Sequence, residues 1–343
     1  MSQNPHDPLH LLRQAMSYKN AAIQACNAQN YEVSAQQGTQ SLTLESEWVC
    51  QQAGINHHVL SFSLFGDNPI YCETAILNAK AMPDVYPGWR MWVYHDQSVP
   101  EHVLQRLHNH RVRLLDVTQI GIDHWPGTFW RFDAVSEIQG ERVQFRDADS
   151  IISTREAQWV KQWMDSGKPF HVFRDWYSHL DLILAGMWGA HAPLLAHMNE
   201  WIEAHLQSRS KLHPTHADQI FLAEVIWPKI APYCLVHDTV HDLPFATAID
   251  SPRPGTDGSD ALGGFKAKRI TVTMSPHIHQ YLVTVLDEQQ QIVMRYHRTA
   301  KDGRDEFEIP TEYYQHVETG KWQIQYQPLP QITIQTSTTD QQS

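Results

Sequence analysis

The spacing of apolar residues changes twice along the chain and divides it into three stretches. Over residues 1–56 apolar positions are sparse among Gln, Asn, Ala and Ser. Two segments there, near Leu11 to Ala28 and Tyr31 to Gln51, predict helices with weak apolar stripes, so this stretch reads as a helical or partly disordered leader. At His57 the pattern sharpens. Val59 to Phe65 is a short apolar run that stops at Gly66-Asp67-Asn68-Pro69, the signature of a buried strand and a loop. Helical spacing over Ile70 to Met82, a strand at Arg90 to His95, a helix over Pro100 to His110 and a strand at Val112 to Val117 follow. Strand–helix–strand–helix–strand order predicts an α/β sheet whose ligands sit at the carboxyl ends of its strands. A further strand, Val143 to Arg146, runs into Asp147-Ala148-Asp149-Ser150. Beyond it, Glu156 to Met164, Pro193 to Leu206 and Asp218 to Ile226 predict helices, Phe170 to Phe173 a strand, and Leu182 to Trp188 an apolar run broken by glycine. From about Lys266 five segments alternate as half-buried antiparallel strands: Ile270–Thr273, Tyr281–Val285, Ile292–Tyr296, Glu306–Ile309 and Trp322–Tyr326. The expected layout is a leader over 1–56, an α/β domain over 57–265, a small all-β accessory domain over 266–330 and a disordered tail over 331–343.

Composition narrows the function. A net charge of −12 argues against a protein that binds nucleic acid by neutralising phosphates. An acidic protein still binds a phosphorylated ligand if it recruits a cation. Cys26, Cys50, Cys72 and Cys234 form no C-x-x-C pair, which excludes a zinc knuckle or redox motif and suits a reducing cytoplasm. The N-terminal segment lacks a basic region followed by an apolar core, and no apolar run approaches the roughly 20 residues that span a bilayer. The expectation is a cytoplasmic protein, with any membrane attachment peripheral.

The chemistry concentrates at Asp147 and Asp149. Residues two apart on an extended backbone project to one side, so both carboxylates would share a face if the strand continues. Like charges held that close remain ionised beside a cation. Carboxylate oxygens favour Mg²⁺ or Mn²⁺, which bridges diphosphate oxygens and stabilises a departing nucleoside diphosphate. The competing reading of such a triplet is a solvated turn. Its position after the fourth strand, where an active-site rim would lie, favours the metal.

A family resemblance extends this. Phe145-Arg146-Asp147-Ala148-Asp149-Ser150, Arg155-Glu156, Trp163, His171-Val172-Phe173-Arg174-Asp175 with His179, Gly186-Met187-Trp188-Gly189, Asp218-Gln219-Ile220-Phe221-Leu222 and Val236-His237-Asp238 together resemble bacterial glycosyltransferases of the GT-A type, over roughly residues 57 to 265. Ala185 stands where that group has a first glycine, and Asp175-Trp176-Tyr177 where it has a D-H-P-like run. Phe129-Trp130-Arg131-Phe132 is similar to the aromatic-x-Arg helix before D-x-D in retaining enzymes of glycosyltransferase family 8. The resemblance implies a GT-A-like, Rossmann-related mixed sheet flanked by helices. It implies transfer of a sugar from a UDP- or GDP-sugar donor to an acceptor hydroxyl, in a setting such as bacterial surface glycan synthesis.

Site roles follow from it. Asp147, Asp149 and His237 would ligate Mn²⁺ or Mg²⁺, with a strand-end histidine as the plainer reading of His237. Ser63, Phe65 and Asp67, with Asp96 as an addition, would meet the nucleoside. Arg131 would pair with a phosphate or with Asp147, or form a structural salt bridge. Gly186, Trp188 and Gly189 would meet the sugar and acceptor, Trp188 being otherwise a core aromatic. Asp218, Asp175 and His179 are the acid/base candidates, Asp218 being otherwise a helix cap. Two other classes remain open: a metal-dependent hydrolase, and a non-catalytic carbohydrate-binding or degenerate transferase protein.

Overall fold

The computed structural model describes residues 9–52, 58–137, 142–211, 213, 216–247, 261–264 and 266–330. The expected tail, 331–343, lies outside them. The described chain divides into two compact units. The first takes residues up to Asp67 and from Thr74 to Lys266; the second takes Asn68–Glu73 and residues from Ala267 onward.

The first unit is built on a seven-stranded sheet: β1 (His58–Leu64), β2 (Trp89–His95), β3 (Arg113–Asp116), β4 (Arg142–Arg146), β5 (Phe170–Arg174), β6 (Met187–His191) and β7 (Cys234–Asp238). Their order is β3-β2-β1-β4-β6-β5-β7. β1 to β4 pair in parallel, β6 runs antiparallel to both β4 and β5, and β5 pairs in parallel with β7. The sheet is therefore mixed. Helices α1 (His10–Asn27), α2 (Tyr31–Gln52), α3 (Pro69–Val85) and α4 (Glu101–Asn109) fall close to the predicted helical segments.

One face of the sheet, carrying Val59, Phe145, Val172 and Trp188, buries against Phe129, Phe132, Ile202 and Phe221. These come from a 3₁₀ helix, Gly127–Asp133, and from the helices Met198–Gln207 and Ala217–Phe221. The antiparallel register sets Phe145 opposite Trp188, and their rings stack at 4.4 Å. The predicted helix from Asp218 is interrupted: residues Leu222–Ile226 form a π turn before Trp227–Ile230. Pro228 has no N–H for the carbonyl four residues back, which loosens the ladder there. The apolar run at 182–188 becomes a strand only from Met187; Ile183 and Ala185 are buried in the approach to it.

The N-terminal stretch forms two helices, joined by Leu11, Ala15 and Leu44 and by the Ser41 hydroxyl donating to the Ala15 carbonyl (2.8 Å). Among the described residues no helix is long and apolar enough to cross a membrane. Cys26, Cys72 and Cys234 are free thiols.

The second unit contains the five expected strands: β8 (Ala267–Thr273), β9 (Gln280–Leu286), β10 (Ile292–Thr299), β11 (Arg304–Pro310) and β12 (Gln323–Pro328). They pair antiparallel as β10-β9-β12 and β11-β8. A helix, Thr311–Glu318, adds to that expectation. Tyr313 and Val317 lie one turn apart on it, and the buried Tyr313 ring packs on Trp322 (5.2 Å).

Two histidines are sealed in the first unit. His171 of β5 and His237 of β7 are buried with Nε2 and Nδ1 3.1 Å apart, and Trp163 stacks on His171. Burial pushes His237 down to about 4 and, together with the charge His237 would carry, holds His171 well below 6.5. Both are neutral in the fold, so the unfolded chain takes up their protons first. Their stabilisation is complete above about pH 6.5 and is lost as pH falls towards 4. Unfolding free energies from urea titrations should therefore drop over that window, by up to about 1.4 kcal/mol per pH unit per histidine. His237→Asn should flatten the dependence; an unchanged slope in that variant would contradict this account.

Candidate functional site

In the strand order, β1 is followed by β2 on one side and has β4 on the other. The carboxyl ends of β1 and β4 thus form a topological switch point, where open α/β sheets bind ligands. Two loops open there: Phe65–Asn68 after β1, and Asp147–Ser150 after β4.

The second loop is a turn, not a continued strand: the Ser150 N–H reaches back to the Asp147 carbonyl (3.4 Å). The alternation expected to align the two carboxylates therefore does not operate; the turn brings them near one another instead. Burial, reinforced by the charge on Asp147, pushes Asp149 up to about 6. That rise marks a place short of positive charge. Asp147 leaves its side chain 48% exposed, open to a ligand. Two neighbouring carboxylates, one of them half exposed, suit a small, hard divalent cation.

One buried cation already serves this turn. Arg131, 3% exposed, donates to Asp147 Oδ1 (2.5 Å) and to Asp218 Oδ2 (2.8 Å). Burial lowers its pKa, and the two carboxylates more than reverse the effect. Its backbone is clamped by β1, whose Ser61 hydroxyl donates to the Arg131 carbonyl (2.8 Å) while Ser63 Oγ accepts the Arg131 N–H (3.0 Å). Residues two apart on a strand face the same way, which is why two serines can grip one peptide.

Residues outside the predicted set hold the turn. Arg146, fully buried, donates to the Gly186 carbonyl (2.6 Å) and to Ser150 Oγ (3.1 Å), and pairs with the equally buried Glu156 (3.1 Å), which accepts from the Tyr86 hydroxyl (2.8 Å). Asn78 of α3 donates to the Ser150 carbonyl (2.9 Å) and accepts from the Ile152 N–H (2.9 Å). The sequence carried a signal for Asn78 alone: it is a polar position among the apolar residues of α3, and it is buried. Gly186 lies against the turn because β4 and β6 pair Arg146 with Met187. A Cβ at Gly186 would stand 1.9 Å from Asp147 Oδ2.

The other predicted residues divide. Phe65 (44% exposed) and Asp67 lie at the mouth after β1, and the Phe65 ring covers Gly127, where a Cβ would come within 2.5 Å of it. Asp96 accepts from Ser98, whose hydroxyl receives the Gly66 N–H (2.6 Å), joining the loops after β1 and β2. Ser63 is buried and engaged by Arg131. Trp188 presents no face to a sugar: it is fully buried, because β6 lies inside the sheet with Phe145 beside it. Gly189 makes room for Gln144 and Trp163, with a Cβ 2.5 and 2.8 Å from them, and is a packing glycine. Asp175 accepts two bonds from Arg155 (2.7 and 2.9 Å), one from Thr239 (2.5 Å) and one from the Leu262 N–H (2.9 Å), a full set for a carboxylate. His179 Nδ1 accepts the Asp175 N–H (3.2 Å), and burial lowers it to about 4. Asp218 sits in the first turn of its helix behind the cap position of His216, with burial raising its pKa and Arg131 opposing the rise. His237 faces His171, and among the described residues no three His, Cys, Asp or Glu side chains gather as a metal cluster.

No family model matches the sequence. No curated protein matches it either. Solved structures overlap parts of it. A glycosyltransferase involved in glycosylation of the major capsid of PBCV-1 aligns at TM-score 0.35 and 16% identity, over 53% of this chain and 80% of its own. Glucosyl-3-phosphoglycerate synthase from Mycobacterium tuberculosis aligns at 0.39 and 13%, over 55% and 71%. A 4-diphosphocytidyl-2C-methyl-D-erythritol synthase from Anaerococcus prevotii aligns at 0.34 and 8%, over 57% and 90%. These overlaps are partial, and the functional reading rests on this chain's own geometry.

The two glycines should separate site from scaffold. If the acidic turn takes a divalent cation, Gly186→Ala, which crowds the Asp147 carboxylate, should weaken Mn²⁺ binding at least about tenfold, read by electron paramagnetic resonance of the free ion. Gly189→Ala should instead lower unfolding stability by about 1–3 kcal/mol through overpacking. Equal Mn²⁺ affinity in Gly186→Ala and wild type would refute this assignment.

Proposed function

We propose that the chain is a metal-dependent glycosyltransferase that moves a sugar from a UDP- or GDP-sugar to an acceptor hydroxyl. The observation that carries the reading is the acidic turn Asp147–Asp149 at the switch point, with Arg131 buried behind it. Asp147 and Asp149 would hold Mn²⁺ or Mg²⁺, which supplies charge neutralisation to the donor diphosphate and its leaving group. Phe65 offers a half-exposed ring, and Asp67 an exposed carboxylate, where the base and ribose would lie.

This chain's own groups then have distinct tasks. Arg131 fixes the direction of the Asp147 carboxylate. Asp218 shares the same guanidinium, so its task is to hold Arg131 in line; Arg131 on one oxygen and the Gln219 N–H on the other leave it poorly suited to take an acceptor proton. Arg146 and Asn78 keep the turn in place against Gly186 and α3, so little reorganisation is needed when a ligand arrives. Catalysis in this reading is mostly positioning and charge stabilisation. We assign residues 57–265 to catalysis, 266–330 to an accessory role, and the setting to cytoplasmic assembly of a surface glycan.

A screen of UDP- and GDP-sugars with Mn²⁺, read as nucleotide release, tests this. One donor should support metal-dependent release, and Asp149→Ala should lower the rate at least about a hundredfold while circular dichroism stays unchanged. Release at the wild-type rate in that variant would sink the metal reading. Donor binding without any turnover, seen as a thermal shift, would point to the non-catalytic alternative.

A further inference from the structure

The loop between β5 and β6 departs from the polar surface expected of a connection. Leu180 is 75% exposed, Tyr177 50% and Leu182 41%, and Trp176 stands edge-on to Tyr177 with ring centres 5.3 Å apart. The exposure does not come from slack. Arg174, 3% exposed, donates through Nε to the Asp181 carbonyl (3.0 Å) and through Nη2 to the Leu182 carbonyl (2.5 Å). The His179 N–H reaches the Trp176 carbonyl (3.0 Å), and His179 Nδ1 takes the Asp175 N–H. Several of its backbone groups are held, by Arg174 of β5 and by bonds between Asp175, Trp176 and His179, while large apolar side chains stand exposed, an arrangement that marks a contact surface.

The loop leads straight to the acidic turn. It ends at Gly186, whose backbone lies against the Asp147 carboxylate. Leu182 lies four positions before Gly186 and Leu180 six, spans of at most about 14 and 21 Å. A chain of a few sugar rings covers that reach. Sugar rings carry apolar C–H faces that sit on aromatic and aliphatic side chains. The segment Trp176–Gly186 contains no Lys or Arg and one acidic residue, Asp181, on a protein of net charge −12. That charge disfavours an anionic membrane, which draws basic segments.

We propose that this loop is the acceptor platform of the site, binding a neutral saccharide across Trp176, Tyr177, Leu180 and Leu182. The proposal rests on the transferase reading and names its second substrate's surface. It also accounts for the Asp175-Trp176-Tyr177 run, which departs from the family pattern. The buried Asp175 anchors the loop, and the two aromatics that follow it form the surface.

Saturation-transfer NMR with methyl and p-nitrophenyl glycosides of glucose, galactose, mannose and N-acetylglucosamine as probes tests it. Spectra are taken on wild type and on the double variant Tyr177→Ala, Leu180→Ala, both with UDP or GDP and Mn²⁺. These side chains are exposed, and thermal melting checks that the variant folds. At least one glycoside should receive saturation at its ring protons, falling at least about fivefold in the variant. The thermal shift given by nucleotide and Mn²⁺ should stay the same. Nucleotide binding with no glycoside bound to wild type, or with equal glycoside binding in the variant, overturns the platform alone. So does co-sedimentation with phosphatidylcholine–phosphatidylglycerol vesicles that the variant loses, which would make the loop a membrane contact. Failure of wild type to bind either nucleotide with Mn²⁺ removes the transferase reading beneath it.

Discussion

A single guanidinium, withdrawn from water and divided between two carboxylates, organises the ligand-facing end of the sheet. Arg131 belongs to a short 3₁₀ helix, an element with little stability of its own. The helix is held because β1 grips the peptide of Arg131 through Ser61 and Ser63, and because Phe129 and Phe132 bury on either side of it in sequence. Desolvating such a charge is repaid only if its partners stay in place; removing one partner of a buried pair typically costs about 3–5 kcal/mol. Asp218 is nearly as buried as Arg131, whereas Asp147 is half open. The pairing is therefore asymmetric. The inner carboxylate fixes the arginine, and the outer one is free to share its second oxygen with something from solution.

The reversal of β6 supplies the other constraint. Running antiparallel to β4, it brings its own first residues to the place where β4 ends, so Gly186 meets Asp147. The same register puts Trp188 beside Phe145 in the core. β6 and the residue just before it thus place a site glycine and a core aromatic two residues apart. Arg146 ties the two strands at that point through the Gly186 carbonyl, and Glu156 and Tyr86 satisfy the charge that this requires.

Much of this was legible in the sequence, and the failures have physical causes. Alternation and helical spacing located the strands and helices because each buries a single face, and β1, β2 and α3 match to within a few residues. Asp147, Asp149, Arg131 and Asp218, far apart in sequence, meet in the structure. A motif reports residue type and not depth, so Trp188, Gly189 and Asp175 read as ligand contacts although they serve packing and loop anchorage. His237 was placed by its strand end, but the strand's pleat turns its ring to His171. Asn78 was missed, and Glu156 stood in the motif without a role, because a buried polar side chain looks, in one sequence, like any exposed one. Only their position on an apolar helix face, or beside an arginine in the fold, sets them apart.

The double hydrogen bond of Asn78 carries a consequence for how this protein can vary. Its amide grips the backbone on both sides of Ile151, so the stretch of α3 around Asn78 is tied directly to the acidic turn. A slide of α3 along its axis, by repacking anywhere along its buried face, shifts the turn with it. Residues such as Ile76 and Ala79, buried on that helix and away from the turn in sequence, thereby bear on where the turn stands. Tuning of such a centre during divergence therefore need not appear among the side chains that line it.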